Sequence, residues 1–183
     1  MAVLAERHPE FLKRGGRLYG ISADTAGQNA AVIEKMGLPF PIFSDPDRDK
    51  AITPLGFADE DDPREIARPG VLIVGPDGEP AWRVGSRDYA DRPHEDALLD
   101  VLAELGLDAT TQEAPEIGEP EPGERALPLE TIYHHFRGVK YATYALRKRH
   151  RDVDEEFAAD AKAYGLMADR YMQALSAVEQ RKG

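Results

Sequence analysis

Two short stretches of the sequence combine residue types that could hold a metal ion. In "ETIYHHF", Glu130 and His134 stand four residues apart, so a helix would place a carboxylate and an imidazole on one face. No second pair of this kind follows, and a solvated or hydrogen-bonded histidine is the favoured interpretation. The stretch "DPDRD", residues 45–49, is similar to the start of an EF-hand loop. That loop needs glycine and glutamate where Lys50 and Gly56 stand, so we interpret the stretch as an acidic turn.

Thiol chemistry is missing from the sequence, because none of its 183 residues is cysteine. This composition excludes disulfides, thiolate metal ligands and a cysteine nucleophile within the sequence itself. Ser22 ends a predicted strand, but no motif supplies a histidine that would activate its hydroxyl. Nucleotide-binding glycine motifs are absent as well. The sequence therefore predicts no cofactor and no metal centre.

Charge is distributed unevenly along the chain, whose formal net charge is -11. Residues 1–128 hold 13 Lys+Arg and 26 Asp+Glu, whereas residues 129–183 hold 10 and 8. The acidic first part argues against nucleic acid or an anionic membrane as the main partner. No stretch approaches the roughly 18 apolar residues of a membrane helix. The first residues also lack the apolar core of a signal peptide, so we expect a cytoplasmic protein.

The elements that would position these residues fall into three predicted regions. Residues 1–107 read as helix, strand, helix, short strand, hairpin and helix, which is typical of an α/β sandwich with a mixed sheet. The hairpin is the clearest element, because "GVLIVG" and "PAWRVGS" flank the turn "PDGE". Residues 108–128 are rich in glutamate and proline and are predicted to be an extended or disordered linker.

Residues 129–183 form the third region, in which apolar residues recur at a spacing of three and four and predict a helical module. One long helix or a hairpin of two helices fits this pattern. We favour the hairpin slightly, because a single helix would expose too much apolar surface. The basic run 147–151 would suit the end of a first helix, and Asp152 with Glu155 the start of a second. The module predicts a homo-oligomer or a protein partner.

Several segments of the first region are similar to one known family in both order and spacing. They are "LAERHPEFLKRGGRLYGISADT", "EKMGLPFPIFSDPD", "RPGVLIVGPDGEPAWRVGSRDYADRP" and the helix that follows. Over residues 1–106 the chain resembles the peroxiredoxins of the alkyl hydroperoxide reductase and thiol-specific antioxidant type. The resemblance implies a thioredoxin-like fold and thiol-dependent reduction of peroxides, in which a thiolate becomes a sulfenic acid and is recycled by another thiol.

The resemblance also implies two site residues. Arg68 stands where the family has an arginine near the reactive sulfur, and a fixed cation there would favour the thiolate and polarise the O–O bond. Pro69 stands where thioredoxin-like folds often have a cis proline beside the active site. Without the resemblance, Arg68 would be a surface cation close to acidic partners. Pro69 would mark the start of an edge strand.

The sequence departs from the family at the active site itself. The strand and loop that carry the reactive cysteine would precede Met1, so the resemblance implies an incomplete or inactive form, and we expect a cysteine-bearing segment upstream. The alternative is a non-enzymatic thioredoxin-fold protein that acts in oligomerisation or partner binding through its C-terminal helices. Loss of a central strand would leave "RLYGIS" and "GVLIVG" with unpaired backbone groups. They would pair directly, be covered by the tail or a second subunit, or receive an upstream strand.

Overall fold

The computed structural model of the chain describes residues 1–64, 66–86 and 93–182, apart from the side chains of the last two. Its contacts divide it into two compact units. The α/β unit is Arg7–Gly123, and the helical unit joins Met1–Glu6 to the chain from Glu124 onward. The elements, in chain order, are α1 (Ala2–Glu6), α2 (His8–Lys13), β1 (Gly20–Ser22), α3 (Ala26–Met36), β2 (Ile42–Ser44), β3 (Gly70–Val74), β4 (Pro80–Gly85), α4 (Glu95–Leu105), α5 (Leu129–His150) and α6 (Glu155–Lys182).

The first sheet is a parallel pair, in which Ile21 of β1 lies opposite Phe43 of β2. Helix α3 makes the crossover connection that parallel strands require. The ends of α3 are set by its sequence. Thr25 and Gln28 form a reciprocal capping box at the start, and Gly37 ends the helix in the left-handed conformation with a φ of 57°.

A buried side-chain amide ties α3 to both strands of this sheet. The Ser22 hydroxyl donates to Asn29 Oδ1 at 2.8 Å, and Asn29 Nδ2 donates to the Ser44 hydroxyl at 2.9 Å. Asn29 is buried, and these bonds offset the cost of removing its amide from water. The carboxyl ends of β1 and β2 are thus joined to the helix by side chains as well as by the backbone.

The second sheet is the predicted β-hairpin, whose strands β3 and β4 pair antiparallel with Val71 opposite Val84. Its turn contains Gly78 at a φ of 85°, a conformation that favours glycine. Within the described residues, the two strand pairs are separate two-stranded sheets. The single mixed sheet expected from the sequence is therefore not formed. The physical reason is that β1 and β3 do not pair with each other, and no described strand lies between them to join the pairs.

The apolar core of the α/β unit is built from residues far apart in the sequence. Helix α2 contributes Phe11, α3 contributes Ile33, and the chain before β2 contributes Phe40, which is 1% exposed. Helix α4 presents three buried leucines at helical spacing, Leu98, Leu99 and Leu102. The amphipathic pattern of α4 is therefore the one that its sequence predicts.

The segment 108–123, which we call the strap, has no helix or strand but is held against the α/β unit by hydrogen bonds. The Thr110 N–H donates to the Leu12 carbonyl at 2.9 Å. The Gln112 amide pairs with the Leu18 backbone, accepting from its N–H at 2.9 Å and donating to its carbonyl at 2.6 Å. Near its end, the Glu121 N–H donates to the Gly27 carbonyl at 2.9 Å. The strap therefore stays on the α/β unit through hydrogen bonds of its backbone and of the Gln112 amide, since it has few apolar side chains to bury.

The helical unit is a hairpin of α5 and α6, as the sequence analysis slightly favoured, with α1 packed against α6. Antiparallel contacts run along the hairpin. Phe136 meets Tyr171 edge-on at 5.0 Å between ring centroids, and Lys140 binds Asp169 at 2.6 Å. No helix in the described part of the chain is long and apolar enough to cross a membrane.

Two local features shape the helical hairpin. Gly165 on α6 faces Thr143 on α5 so closely that a Cβ atom at position 165 would lie 3.1 Å from the threonine hydroxyl. The start of α6 differs from the predicted one, because the carboxylate that accepts from the Phe157 N–H, at 2.9 Å, belongs to Asp154 and not to Asp152. The helix begins at Glu155, which makes Asp154 the residue directly before it.

Candidate functional site

Arg68 lies two residues before β3, at the base of an acidic loop that begins at Asp59. Backbone hydrogen bonds close this base. The Arg68 N–H donates to the Phe57 carbonyl at 2.6 Å, and the Asp59 N–H donates to the Ile66 carbonyl at 3.2 Å. Ala58 and Ala67 form an antiparallel bridge between them. The backbone of Arg68 is therefore held in place, while its side chain is 41% exposed.

Among the described residues, the Arg68 guanidinium has one ionic partner, which holds it loosely. Its Nη2 atom lies 3.7 Å from Asp59 Oδ1, a distance that allows charge attraction but is too long for a hydrogen bond. Ion pairs at the surface contribute little to stability, so this contact costs little to break. Arg68 can therefore turn its charge toward another anion without disturbing the backbone that carries it.

The concave surface beside Arg68 is rich in carboxylates. Arg68 lines it together with Pro63 and three aspartates, Asp59, Asp61 and Asp62. The Arg64 guanidinium hydrogen-bonds to the Asp62 carboxylate and lowers the pKa of Asp62 to about 2. Asp62 is therefore ionised at neutral pH, and Arg68 is the single basic side chain among the described residues that line this surface.

Phe57, whose carbonyl accepts the hydrogen bond from the Arg68 N–H, is itself held by neighbouring residues. The Arg83 guanidinium of β4 lies 4.6 Å from the centre of the Phe57 ring and also donates to the carbonyls of Leu55 and Gly56. Gly70 is required on the other side, because a Cβ atom there would lie 2.3 Å from Phe57 Cε1. The start of β3 and the end of the preceding turn are thus fitted to each other around one aromatic ring.

Pro69 follows a trans peptide bond, so the cis form considered from the sequence is absent. Its carbonyl accepts from the Ser86 N–H at 2.7 Å, directly beside the pairing of Gly70 with Gly85. Proline fits directly before this strand, where no N–H is needed for the ladder. Pro69 thus aligns the start of β3 in an extended form and lies next to Arg68 in the chain.

The sequence offered two further stretches with the residue types of a metal site, Glu130 with His134 and residues 45–49. The Nε2 atom of His134 lies 3.9 Å from Glu130 Oε1, and both side chains are exposed. Among the described residues, no group of three or more histidines and carboxylates could hold a metal ion.

Asp45 is buried and accepts hydrogen bonds from three backbone N–H groups, those of Lys50, Ala51 and Ile52. The backbone bond from Ile52 contributes most to lowering the pKa of Asp45. Residues 45–49 are therefore an acidic turn, as interpreted from the sequence.

The edge of β1 that faces away from β2 pairs with no described strand, and the adjoining sheet face is apolar and exposed. Tyr19 and Phe43 stack at 5.8 Å between ring centroids, beside Ile21, and all three side chains are exposed. The two strands that the sequence analysis considered as direct partners therefore stay apart. Open strand edges readily accept a further strand, because their N–H and C=O groups lack partners.

Three polar residues important for this geometry were missed in the sequence analysis. Asn29 joins α3 to two strands, Gln112 fastens the strap, and Arg83 holds Phe57. Each acts on residues distant along the chain, and no local pattern marks it. A glutamine in a polar, proline-containing segment carries no periodic signal, so only the three-dimensional contacts disclose its role.

Comparison with known proteins identified a family similar to the first part of the chain. Residues 1–82 match the AhpC/TSA family. No curated protein sequence matches the chain. The matched range contains Arg68, Pro69, the acidic loop and both strands of the first sheet, and it ends within β4. The strap and the helices α5 and α6 lie beyond it. The segment that carries Arg68 and Pro69 is therefore similar to the AhpC/TSA family over residues 1–82.

Proposed function

We propose that this chain is the scaffold of a cytoplasmic antioxidant protein that reduces peroxides with a thiol, and that Arg68 acts beside the reacting atoms. The observation that carries the proposal is Arg68, an arginine with a fixed backbone and a loosely paired side chain in a region similar to the AhpC/TSA family. Because the sequence has no cysteine, the thiol must be supplied by another segment of the protein or by a second protein.

The proposed reaction uses a thiolate as nucleophile. Its sulfur attacks one peroxide oxygen, the O–O bond breaks, and the other oxygen leaves as an alkoxide or hydroxide that takes up a proton. The sulfur is oxidised to sulfenic acid and the peroxide is reduced. A second thiol then attacks the sulfenic acid, forms a disulfide and releases water. Arg68 would favour the thiolate before attack and stabilise the negative charge on the leaving oxygen.

The open edge of β1 supports the same proposal. Its outward backbone groups and the exposed side chains of Tyr19 and Ile21 suit an additional strand. A thiol-bearing segment that paired there would add a strand to the α/β unit that also holds Arg68. The proposal therefore joins two separate observations: a cation with a loosely held side chain and an open strand edge.

The first experiment is the intact mass and the N-terminal peptide of the protein purified from its own cells. A mass above 20.2 kDa with a cysteine-bearing extension would support the proposal and locate the thiol in the same polypeptide. A mass equal to that of this sequence would leave only a thiol from a second protein. The enzymatic proposal would then fail if no thiol-containing protein enabled the chain to reduce peroxide.

The second experiment tests Arg68 in the native protein by the consumption of hydrogen peroxide with a dithiol reductant. Arg68→Gln should lower the rate about 100-fold, the usual effect of removing a group that stabilises developing charge. Arg64→Gln is the matched control, because Arg64 belongs to the same loop but is hydrogen-bonded to Asp62. Equal rates for both variants would remove Arg68 from the mechanism.

A second candidate function is binding through the helical hairpin without catalysis. The observation that favours it is a set of large apolar side chains that α5, α6 and their connection leave exposed, Tyr141, Tyr144, Val153 and Leu166. Surfaces of this kind commonly mark contacts between proteins. This alternative predicts a stable oligomer or complex and no reduction of peroxide by the native protein.

A further inference from the structure

Helix α5 carries positive charge over a long stretch that contains no carboxylate. Between Glu130 and Asp152 the sequence has six lysines and arginines and neither aspartate nor glutamate. Lys140 is neutralised by Asp169 on α6 at 2.6 Å. The remaining charge lies in a chain whose net charge is -11, so α5 differs in sign from most of the protein.

The exposed side of α5 also presents aromatic rings. Tyr141 is 60% exposed and Tyr144 is 63% exposed in the complete chain. They follow Arg137 and precede Lys148 at intervals of three and four residues, which places these four on one side of the helix. Arg151 continues the spacing directly after the end of α5, where its Nε atom lies 3.5 Å from Asp152 Oδ1 in an exposed ion pair. The Arg137 guanidinium lies 6.0 Å from the centre of the Tyr141 ring. We call these five residues the basic tyrosine face.

The strap has the complementary composition. From Asp108 to Gly123 it contains five carboxylates and no lysine or arginine. Glu113, Glu116, Glu119 and Glu121 are all exposed, and between them Ile117 is 46% exposed. The strap therefore offers an apolar side chain with negative charge on both sides, while the basic tyrosine face offers aromatic rings with positive charge on both sides.

The two surfaces are also similar in length. An extended, proline-containing chain rises about 3.1 Å per residue, so the strap spans roughly 25 Å from Glu113 to Glu121. An α-helix rises about 1.5 Å per residue, so the face from Arg137 to Arg151 spans roughly 21 Å. Charges at the two ends can therefore pair at the same time as Ile117 packs on the tyrosines between them.

We propose that the basic tyrosine face of α5 binds the strap of a second copy of this chain. Every copy carries both surfaces, and this favours a second copy over an unrelated acidic protein. The strongly negative remainder of the chain opposes nucleic acid and anionic lipid as occupants. This inference rests on the binding function given above as the second candidate. It does not depend on peroxide reduction, and its test measures association alone.

The test begins with the molar mass of the complete chain, measured by light scattering after size exclusion over a range of concentrations. The expected result is a mass at least twice 20.2 kDa in low salt that falls toward 20.2 kDa in about 1 M salt, where charges are screened beyond about 3 Å. A monomer at every concentration in low salt would overturn the proposal, whether or not the native protein reduces peroxide.

Charge reversal then identifies the surfaces. Arg137→Glu with Lys148→Glu should weaken association about tenfold or more, as should Glu116→Lys with Glu119→Lys, because each places like charges opposite each other. Mixing the two variants should restore association, since the reversed face then meets the reversed strap. The control is Lys13→Glu with Lys162→Glu, two exposed positions outside both surfaces, which should leave association unchanged.

Three outcomes would contradict the proposal. Association that the control weakens as much as the face variant would reflect overall charge. If the mixed variants failed to associate while circular dichroism showed both to be folded, the basic tyrosine face and the strap would not be binding partners. Finally, a monomeric protein that binds a short DNA duplex or phosphatidylserine vesicles through α5 would assign the face to a different occupant.

Discussion

The two units of this chain achieve order in different ways. In the α/β unit, polar side chains join segments far apart in the sequence, as Gln112 does with Leu18 and Arg83 with the turn at Gly56. In the helical unit, neighbouring turns of two long helices meet along their length, as Thr143 meets Gly165. The comparison shows that a family region with short strands depends on specific polar contacts, whereas the helical hairpin depends on regular spacing and small residues.

The largest expected effect sharpens this comparison within the α/β unit. Phe40→Ala should lower the free energy of unfolding by about 3–5 kcal/mol, because it removes a fully buried ring. The control is Phe43→Ala, three residues away, whose side chain is 54% exposed and should change stability much less. Urea unfolding followed by the fluorescence of Trp82, the one tryptophan of the sequence, reports on this unit. Equal effects of the two variants would contradict the assigned core.

The next effect tests the close approach of the helices. Gly165→Leu should destabilise the helical unit by about 1–3 kcal/mol, because its side chain would press on Thr143. Gly138→Leu is the matched control, since nothing lies within 4 Å of a Cβ atom there and the helix gains propensity. Far-ultraviolet circular dichroism during urea unfolding measures both. Stabilisation by the two leucines alike would mean that α5 and α6 do not approach each other at this point.

A smaller effect is expected for the strap. Gln112→Ala should cost about 1 kcal/mol, because the half-buried Leu18 backbone loses both partners on the glutamine amide. Glu113→Ala serves as control, since the neighbouring glutamate is exposed. Urea unfolding followed by Trp82 fluorescence would show the difference. An unchanged midpoint in the Gln112 variant would mean that the strap lies on the unit without stabilising it.

The smallest effect concerns the acidic loop and depends on pH. The pKa of Asp62 falls from 3.8 to about 2 beside Arg64. A carboxylate with a lowered pKa stabilises the folded state above the unfolded pKa and loses that contribution as pH falls through the folded pKa. The stability difference between the natural chain and Asp62→Asn should therefore be constant above about pH 5 and fall steadily as the pH is lowered from about 5 through 2. A difference as large at pH 2 as at pH 6 would point to another cause.

Much of the architecture could be predicted from the sequence, because several elements have local signals. The turn "PDGE" between apolar runs predicted the hairpin, and the spacing of apolar residues predicted the helical unit. The start of α6 was misplaced by two residues, from Asp154 to Asp152, since neighbouring aspartates cap equally well and helix boundaries are set by tertiary contacts. The single mixed sheet was also wrong, because pairing between strands depends on which strands are neighbours in space.

The candidate site was only partly predictable. Arg68 and Pro69 were found through a family resemblance, since a single arginine before a strand has no distinctive pattern of its own. The partners that hold the site, Phe57 and Arg83, could not be found in this way. These two residues are 26 positions apart in the sequence, and their contact depends on how β4 lies against the turn at Gly56.

The strap has a further consequence for the timescale of hydrogen exchange. The Leu18 N–H donates to the Gln112 side chain, whereas the Gly20 N–H, two residues on, donates to the backbone carbonyl of Pro41. Detachment of the strap would expose the first amide to solvent and leave the second protected, without unfolding the core. Hydrogen exchange of the Leu18 amide therefore reports on opening of the strap. Its rate relative to that of Gly20 would measure the free energy with which residues 108–123 stay docked.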